Sequence, residues 1–117
     1  MTLLIQYLLA AFTLHTSAHL HLLRSEPSAN DTVAAAPAAL KFWFSQRPEL
    51  AVTTVKLASS AGAAVALAPL AVDTGANGPL VAAVRGPLAK GTYMVTWRTT
   101  ASDGHPASGR FDFVVSH

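Results

Sequence analysis

Two stretches decide the fold: Thr92-Tyr93-Met94-Val95-Thr96-Trp97-Arg98 and Phe111-Asp112-Phe113-Val114-Val115. Successive side chains of an extended chain point to opposite faces. Tyr93, Val95 and Trp97 therefore share one face of the first stretch, and Phe111, Phe113 and Val115 one face of the second. The two faces are expected to pair across a core. Outward from them the chain reads as further short apolar or alternating runs at residues 19–24, 40–44, 53–58, 64–68 and 80–83, beside 91–99 and 109–115 themselves. Breaks at Pro27, Pro37, Pro48, Gly62, Gly78-Pro79, Gly86-Pro87 and Asp103-Gly104 separate these runs. Pro37, Gly62 and Pro69 also interrupt the Ala-rich stretches 33–39 and 61–68, which are expected as loops and edge strands rather than helices. About seven strands without a long helix make an all-β, two-sheet Greek-key sandwich. Trp43, Trp97, Phe42, Phe44, Phe111 and Phe113 fall in strand-like runs and are expected in its core.

The chain has 117 residues, room for one core. Apolar residues make up 51% and charged residues only 12%, which argues against disorder and places part of the apolar excess outside the fold. Residues 1–18, MTLLIQYLLAAFTLHTSA, supply that excess: they hold no Asp, Glu, Lys or Arg and are too short for a comfortable membrane span. They read as a signal peptide, although without the usual basic start. Thr16 and Ala18 stand at the small-residue positions of a cleavage site that would make His19 the first residue of a mature domain at 19–117. An uncleaved leader is the open alternative. Cysteine is absent, so the fold stands without disulfides and any metal must take nitrogen and oxygen ligands. The formal charge of +2 is carried by basic residues scattered from Arg24 to Arg110, so nucleic acid has no footprint and no partner is named by charge.

After cleavage His19 and His21 would be the first and third residues, while His105 lies far along in Ser102-Asp103-Gly104-His105-Pro106. A free α-amino group and the imidazole of the same residue chelate one ion, and an amine pKa of about 7.7 to 8.0 lets copper displace its proton near neutrality. The His105 imidazole and the Asp103 carboxylate complete a tetragonal nitrogen and oxygen set that suits Cu(II). Asp103 and His105 are two apart, so an extended backbone points them the same way, and Gly104 permits a tight turn between them. Other readings stand beside this one. Asp103-Gly104 is also an ordinary turn sequence with His105 solvated beyond it. His21 either closes a local chelate with the amine and two backbone amides or orients a neighbouring ligand from outside. Ser102 beside His105 lacks a nucleophile motif, and no glycine loop for phosphate or distinguished carboxylate pair occurs.

At these residues the chain resembles the bacterial copper-resistance protein C family, CopC. The resemblance runs from His19 to Val115 through His19-Leu20-His21-Leu22, Ser25-Glu26-Pro27, Ala36-Pro37, Phe42-Trp43-Phe44-Ser45, Gly91-Thr92-Tyr93, Trp97-Arg98, Ser102-Asp103-Gly104-His105-Pro106 and Gly109-Arg110-Phe111. It implies an immunoglobulin-like Greek-key β-sandwich that binds one Cu(II) per chain through His19, Asp103 and His105, with His21 as an auxiliary. It further implies a non-enzymatic carrier or buffer in copper resistance and homeostasis, monomeric and periplasmic, working beside a CopD-type inner-membrane copper transporter. Some members carry a Glu near the copper where this chain has Gln46. Others hold Cu(I) on a Met-rich segment, and here only Met94 follows the leader, so no Cu(I) site is expected. Two rival functions remain open at this point. An N-terminal His chelate with a second His is also the copper arrangement of lytic polysaccharide monooxygenases, and a sandwich whose leader stays attached has no amine to offer a metal.

Overall fold

The computed structural model describes residues 19–73, 75 and 78–117; the expected signal peptide at 1–18 lies outside them. Among the described residues the chain forms β1 (Leu22–Glu26), β2 (Asp31–Val33), β3 (Ala39–Phe44), β4 (Thr54–Ser59), β5 (Ala64–Val65), β6 (Ala71–Val72), β7 (Leu80–Ala83), β8 (Gly91–Thr100) and β9 (Pro106–Val115). One sheet has the order β1-β3-β7-β6 and the other β2-β9-β8-β4-β5. Pairing is antiparallel except between β2 and β9, which run parallel. Strands consecutive in sequence repeatedly change sheet, the crossing pattern of a Greek-key sandwich.

Each of the seven expected runs overlaps a strand, and the fold adds two strands that no run announced. β2 is three residues long, begins with Asp31-Thr32 and pairs with β9 alone at the sheet edge; β6 is two residues long and pairs with β7 alone. Neither is long enough to display a period. The expected strand at 64–68 contracts to Ala64–Val65, with Leu67 making a single isolated bridge to Val84.

The expected pairing of the two deciding faces takes a different form. β8 and β9 are neighbours in one sheet, with Tyr93 opposite Phe113 and Val95 opposite Phe111, so their apolar faces lie side by side and together form one wall of the core. Across the sandwich they meet β3. Phe42 packs edge-on against Phe111 with ring centres 6.4 Å apart, and Phe44 against Trp97 at 5.1 Å. Leu40, Leu57, Leu80, Val95, Phe113 and Val115 fill the buried centre, each contributing roughly 1.5–3 kcal/mol by leaving water. Trp43 departs from the expectation. Its position on β3 alternates with the buried Phe42, so it is only half-buried and lies under the Arg24 guanidinium, 3.7 Å from the ring centre. The buried Tyr93 ring keeps its hydroxyl satisfied by donating to the Ala89 carbonyl at 2.7 Å, a tie back along the chain that recurs in Greek-key sandwiches. Gly109 faces Trp97 across the ladder, and a Cβ there would stand 2.8 Å from the indole, so only glycine lets the ring lie over β9.

One end of the sandwich gathers the segments of interest. A 3-10 turn at Leu50–Val52 leads into β4, and the buried Thr53 after it donates its hydroxyl proton to the Glu49 carbonyl at 2.6 Å. Thr53 has no second hydroxyl proton, so the buried Thr99 must be the donor in their 2.7 Å contact. This fixes the end of β8, from which the turn bearing Asp103 and His105 emerges.

Candidate metal centre

The β8–β9 ladder closes at Thr100 opposite Pro106. Within the turn, the Ala101 N–H donates to the His105 carbonyl and the Gly104 N–H to the Ala101 carbonyl, both at 2.9 Å. Gly104 has φ +90, and a Cβ there would touch nothing, so the backbone conformation rather than space calls for glycine. The Asp103 carboxylate caps the turn: Oδ1 accepts the His105 backbone N–H at 3.0 Å and Oδ2 faces His105 Nδ1 at 3.0 Å. An ionised carboxylate can only accept, so Nδ1 carries the proton and the Nε2 lone pair is left for a metal. These contacts hold the Asp103 carboxyl below its ordinary value. The backbone hydrogen bond from His105 is the main cause, followed by its ring, and slight burial opposes them.

The opposite wall comes from the segment before β1. Leu20 is buried between exposed His19 and His21, so one apolar side chain anchors a strand-like stretch whose imidazoles face outward. Ser45, just after β3, ties it down. Its Oγ accepts the His21 N–H at 2.9 Å and lies 3.4 Å from the His19 carbonyl, while its own N–H donates to the His21 carbonyl at 2.8 Å. The His21 ring donates from Nδ1 to the His19 carbonyl at 2.9 Å, because a carbonyl cannot donate in return.

These ties bring the imidazoles of His19 and His105 together edge-on, with ring centres 5.8 Å apart and planes at 86°. Two imidazoles on one ion, each with an N–metal bond of about 2 Å, stand with ring centres roughly 4.5–6.3 Å apart according to the angle between them. The pair falls inside that window. Among the described residues no three His, Cys, Asp or Glu side chains already converge into a finished cage. Asp103 is engaged with His105, although each of its oxygens keeps a second lone pair. The His21 N–H and Nδ1 are both in use, on Ser45 and on the His19 carbonyl, so a purely local chelate would have to break both contacts. In the sequence Ser45 stands out only as the last residue of the Phe42-Trp43-Phe44-Ser45 landmark; nothing in its spacing signals that it clamps the segment bearing His19.

Fold and geometry define a class: a small two-sheet β-sandwich that presents nitrogen and oxygen groups at one end, from its first segment and from one hairpin turn. Within that class the chain belongs to the CopC family, whose CopC domain matches residues 22–116. His19 and His21 lie just ahead of the matched residues. The copper resistance protein C of Pseudomonas syringae pv. tomato is 34% identical over 103 residues, covering 84% of this chain and 81% of that protein. The crystal structure of CopC from Methylosinus trichosporium OB3b superimposes with a TM-score of 0.75 at 32% identity, over 84% of this chain and 94% of that one. PcoC, a methionine-rich copper resistance protein from Escherichia coli, gives a TM-score of 0.75 at 33% identity, over 85% of this chain and all of the other.

Proposed function

We propose that this chain is a periplasmic carrier or buffer of Cu(II), binding one ion per chain and passing it on without catalysis. Cleavage after Ala18 exports the domain 19–117 as a monomer and turns the His19 nitrogen into an amine. That amine and the His19 imidazole chelate the ion, and Nε2 of His105 supplies the third nitrogen. Asp103 adds a carboxylate oxygen through a lone pair that its contacts with His105 leave available. His21 orients from outside by holding the His19 carbonyl. The recipient or donor is a CopD-type transporter in the inner membrane.

The observation that carries the proposal is the approach of the His19 and His105 rings to 5.8 Å from segments at opposite ends of the domain sequence. Three nitrogens and an oxygen form the set that Cu(II) prefers among divalent ions, and family membership gives copper its precedence over other metals. A Cu(II) titration followed by electron paramagnetic resonance tests it, comparing chains that begin at His19 with chains carrying one extra residue before it. Tight binding of a single ion with a nitrogen-rich tetragonal signal, weakened sharply by the extension and by His105→Ala, is the expected result. Binding that survives His105→Ala would assign the ion to the local His19-Leu20-His21 chelate instead, and binding by neither form would remove copper from the account.

A further inference from the structure

The basic residues that looked scattered in the sequence are partly gathered by the fold. Register across three strands places Lys56, Thr96 and Arg110 in one row of the five-stranded sheet, and Thr54, Arg98 and Ser108 in the next row of the same face. Lys56, Arg98 and Arg110 are all exposed, on the side opposite the core. With strands about 4.8 Å apart and some 6.7 Å for two residues along a strand, their Cα atoms mark a triangle with sides of roughly 8–10 Å. Hydroxyls stand between them, and the edge of Trp97 beside Gly109 helps to line a shallow depression of about 390 Å³.

This face lacks the counter-charges that such crowding calls for. Among the described residues the ion pairs are Arg24 with Glu26 and His105 with Asp103; none involves these three cations. Asp112, the one acid on β4, β8 and β9, stands in the row next to Arg110, on the side away from the Asp103–His105 turn, and makes no ion pair with it. Three cations and one anion give the face a formal +2, as much as the whole chain carries. The exposed large apolar residues, Leu23, Leu50 and Val52, lie on none of these three strands, so the apolar side chains that a lipid-binding face inserts are missing here. An extended peptide suits the face better, because alternate side chains about 6.7 Å apart reach from the Arg98 row to the row of Lys56 and Arg110. Position adds to charge. Arg98 and Ser108 stand two rungs from the last pair of the ladder, Thr100 with Pro106, where the turn bearing Asp103 and His105 begins.

We propose that the outer face of β4, β8 and β9 docks an acidic, extended segment of the protein with which this chain exchanges copper; the exchange clause rests on the carrier reading above. Carboxylates on alternate residues of the segment pair with Lys56, Arg98 and Arg110, while the intervening hydroxyls bond its backbone.

The test is amide-resolved NMR of the exported protein, titrated with a peptide of alternating Thr and Glu and, as control, one of alternating Thr and Gln. Shifts confined to β4, β8, β9 and the adjoining turn are expected from the Glu peptide alone. Binding should weaken about tenfold or more in the triple variant Lys56→Glu/Arg98→Glu/Arg110→Glu, with the triple Gln variant as the milder counterpart should the charge reversal disturb folding. Cu(II) titrations of both variants should match the parent. Equal response to the two peptides overturns the proposal, as do shifts elsewhere or a face saturated by phosphatidylglycerol vesicles or duplex DNA but not by the Glu peptide. A protein that binds the Glu peptide on this face but takes up no Cu(II) overturns the exchange clause and the carrier reading, and leaves the docking site standing.

Discussion

His105 stands at the turn of a hairpin whose strands pair rung for rung from Gly91 opposite Val115 to Thr100 opposite Pro106, and Asp103 braces it within the turn. His19, by contrast, precedes the first rung of β1 and is held by one buried leucine and a set of hydrogen bonds to Ser45 and His21. One half of the candidate centre therefore shares the rigidity of the core, and the other hangs more loosely, on one side chain and a few hydrogen bonds. Metal binding has to order the looser half, and that ordering subtracts from affinity. Changes in the hairpin scaffold should thus appear in folding stability, and changes in the N-terminal tether in copper affinity. Substitutions in each half separate the two effects.

Removing a donor from the rigid half has the largest effect. His105→Ala is expected to lower Cu(II) affinity by more than the roughly 10–100-fold that loss of an outer-shell partner brings, in a competition titration against a chelator. The side chain is exposed, so the thermal midpoint of the metal-free protein should hardly move. Gly109→Ala should do the converse. The new Cβ would stand 2.8 Å from the Trp97 indole, which is itself packed on Phe44, and the strain should cost about 1–3 kcal/mol in urea unfolding. Copper affinity of the folded fraction should be retained. An unchanged unfolding midpoint would mean that the indole moves aside freely and that the hairpin is less rigid than its ladder implies.

The tether is probed by Ser45→Ala, which deletes the acceptor for the His21 N–H while leaving the backbone bond from Ser45 to the His21 carbonyl. A hydrogen bond of this kind is worth about 1 kcal/mol, so a loss of roughly fivefold in Cu(II) affinity is expected, with little change in the thermal midpoint. The copper signal in electron paramagnetic resonance should broaden as the His19 geometry spreads, and Ser45→Thr, which keeps the hydroxyl, should restore it. A thermal midpoint that falls while affinity stays constant would reverse the assignment, making Ser45 part of the scaffold.

The same contrast governs what could be read from sequence. Tyr93, Val95 and Trp97 alternate over enough residues to announce a strand, so β8 and β9 were legible nearly to their ends. β2 and β6 were not, because two or three residues carry no period and owe their conformation to the neighbour they pair with. Alternation reports which residues share a face, not which face a second strand will meet. That is why the walls of β8 and β9 looked like opposite sides of a core when they are adjacent, and why Trp43 looked internal. His105 and Asp103 could be singled out by their spacing, and His19 by the leader expected before it. Their approach in space, the clamp by Ser45 and the gathering of Lys56, Arg98 and Arg110 arise from strand register and turn geometry. Such long-range relations leave no local pattern.

Asp103 offers the smallest and most local test. Its folded carboxyl is held below 3.8, the ordinary Asp value, chiefly by the His105 backbone N–H and then by the ring. A depressed folded value means that the unfolded chain binds the proton more readily. The contribution of this contact is therefore complete above the unfolded value and fades as pH falls through the folded one. Titration of the Asp103 Cγ resonance in the metal-free protein should give a midpoint below 3.8, and His105→Ala should move it only partway back, since the backbone donor survives that substitution. Full return would make the ring the dominant partner and the backbone donor the lesser one. Replacing Asp103 by Asn should weaken Cu(II) binding at neutral pH in the same competition titration, because a neutral amide oxygen takes the place of the carboxylate proposed to hold the ion.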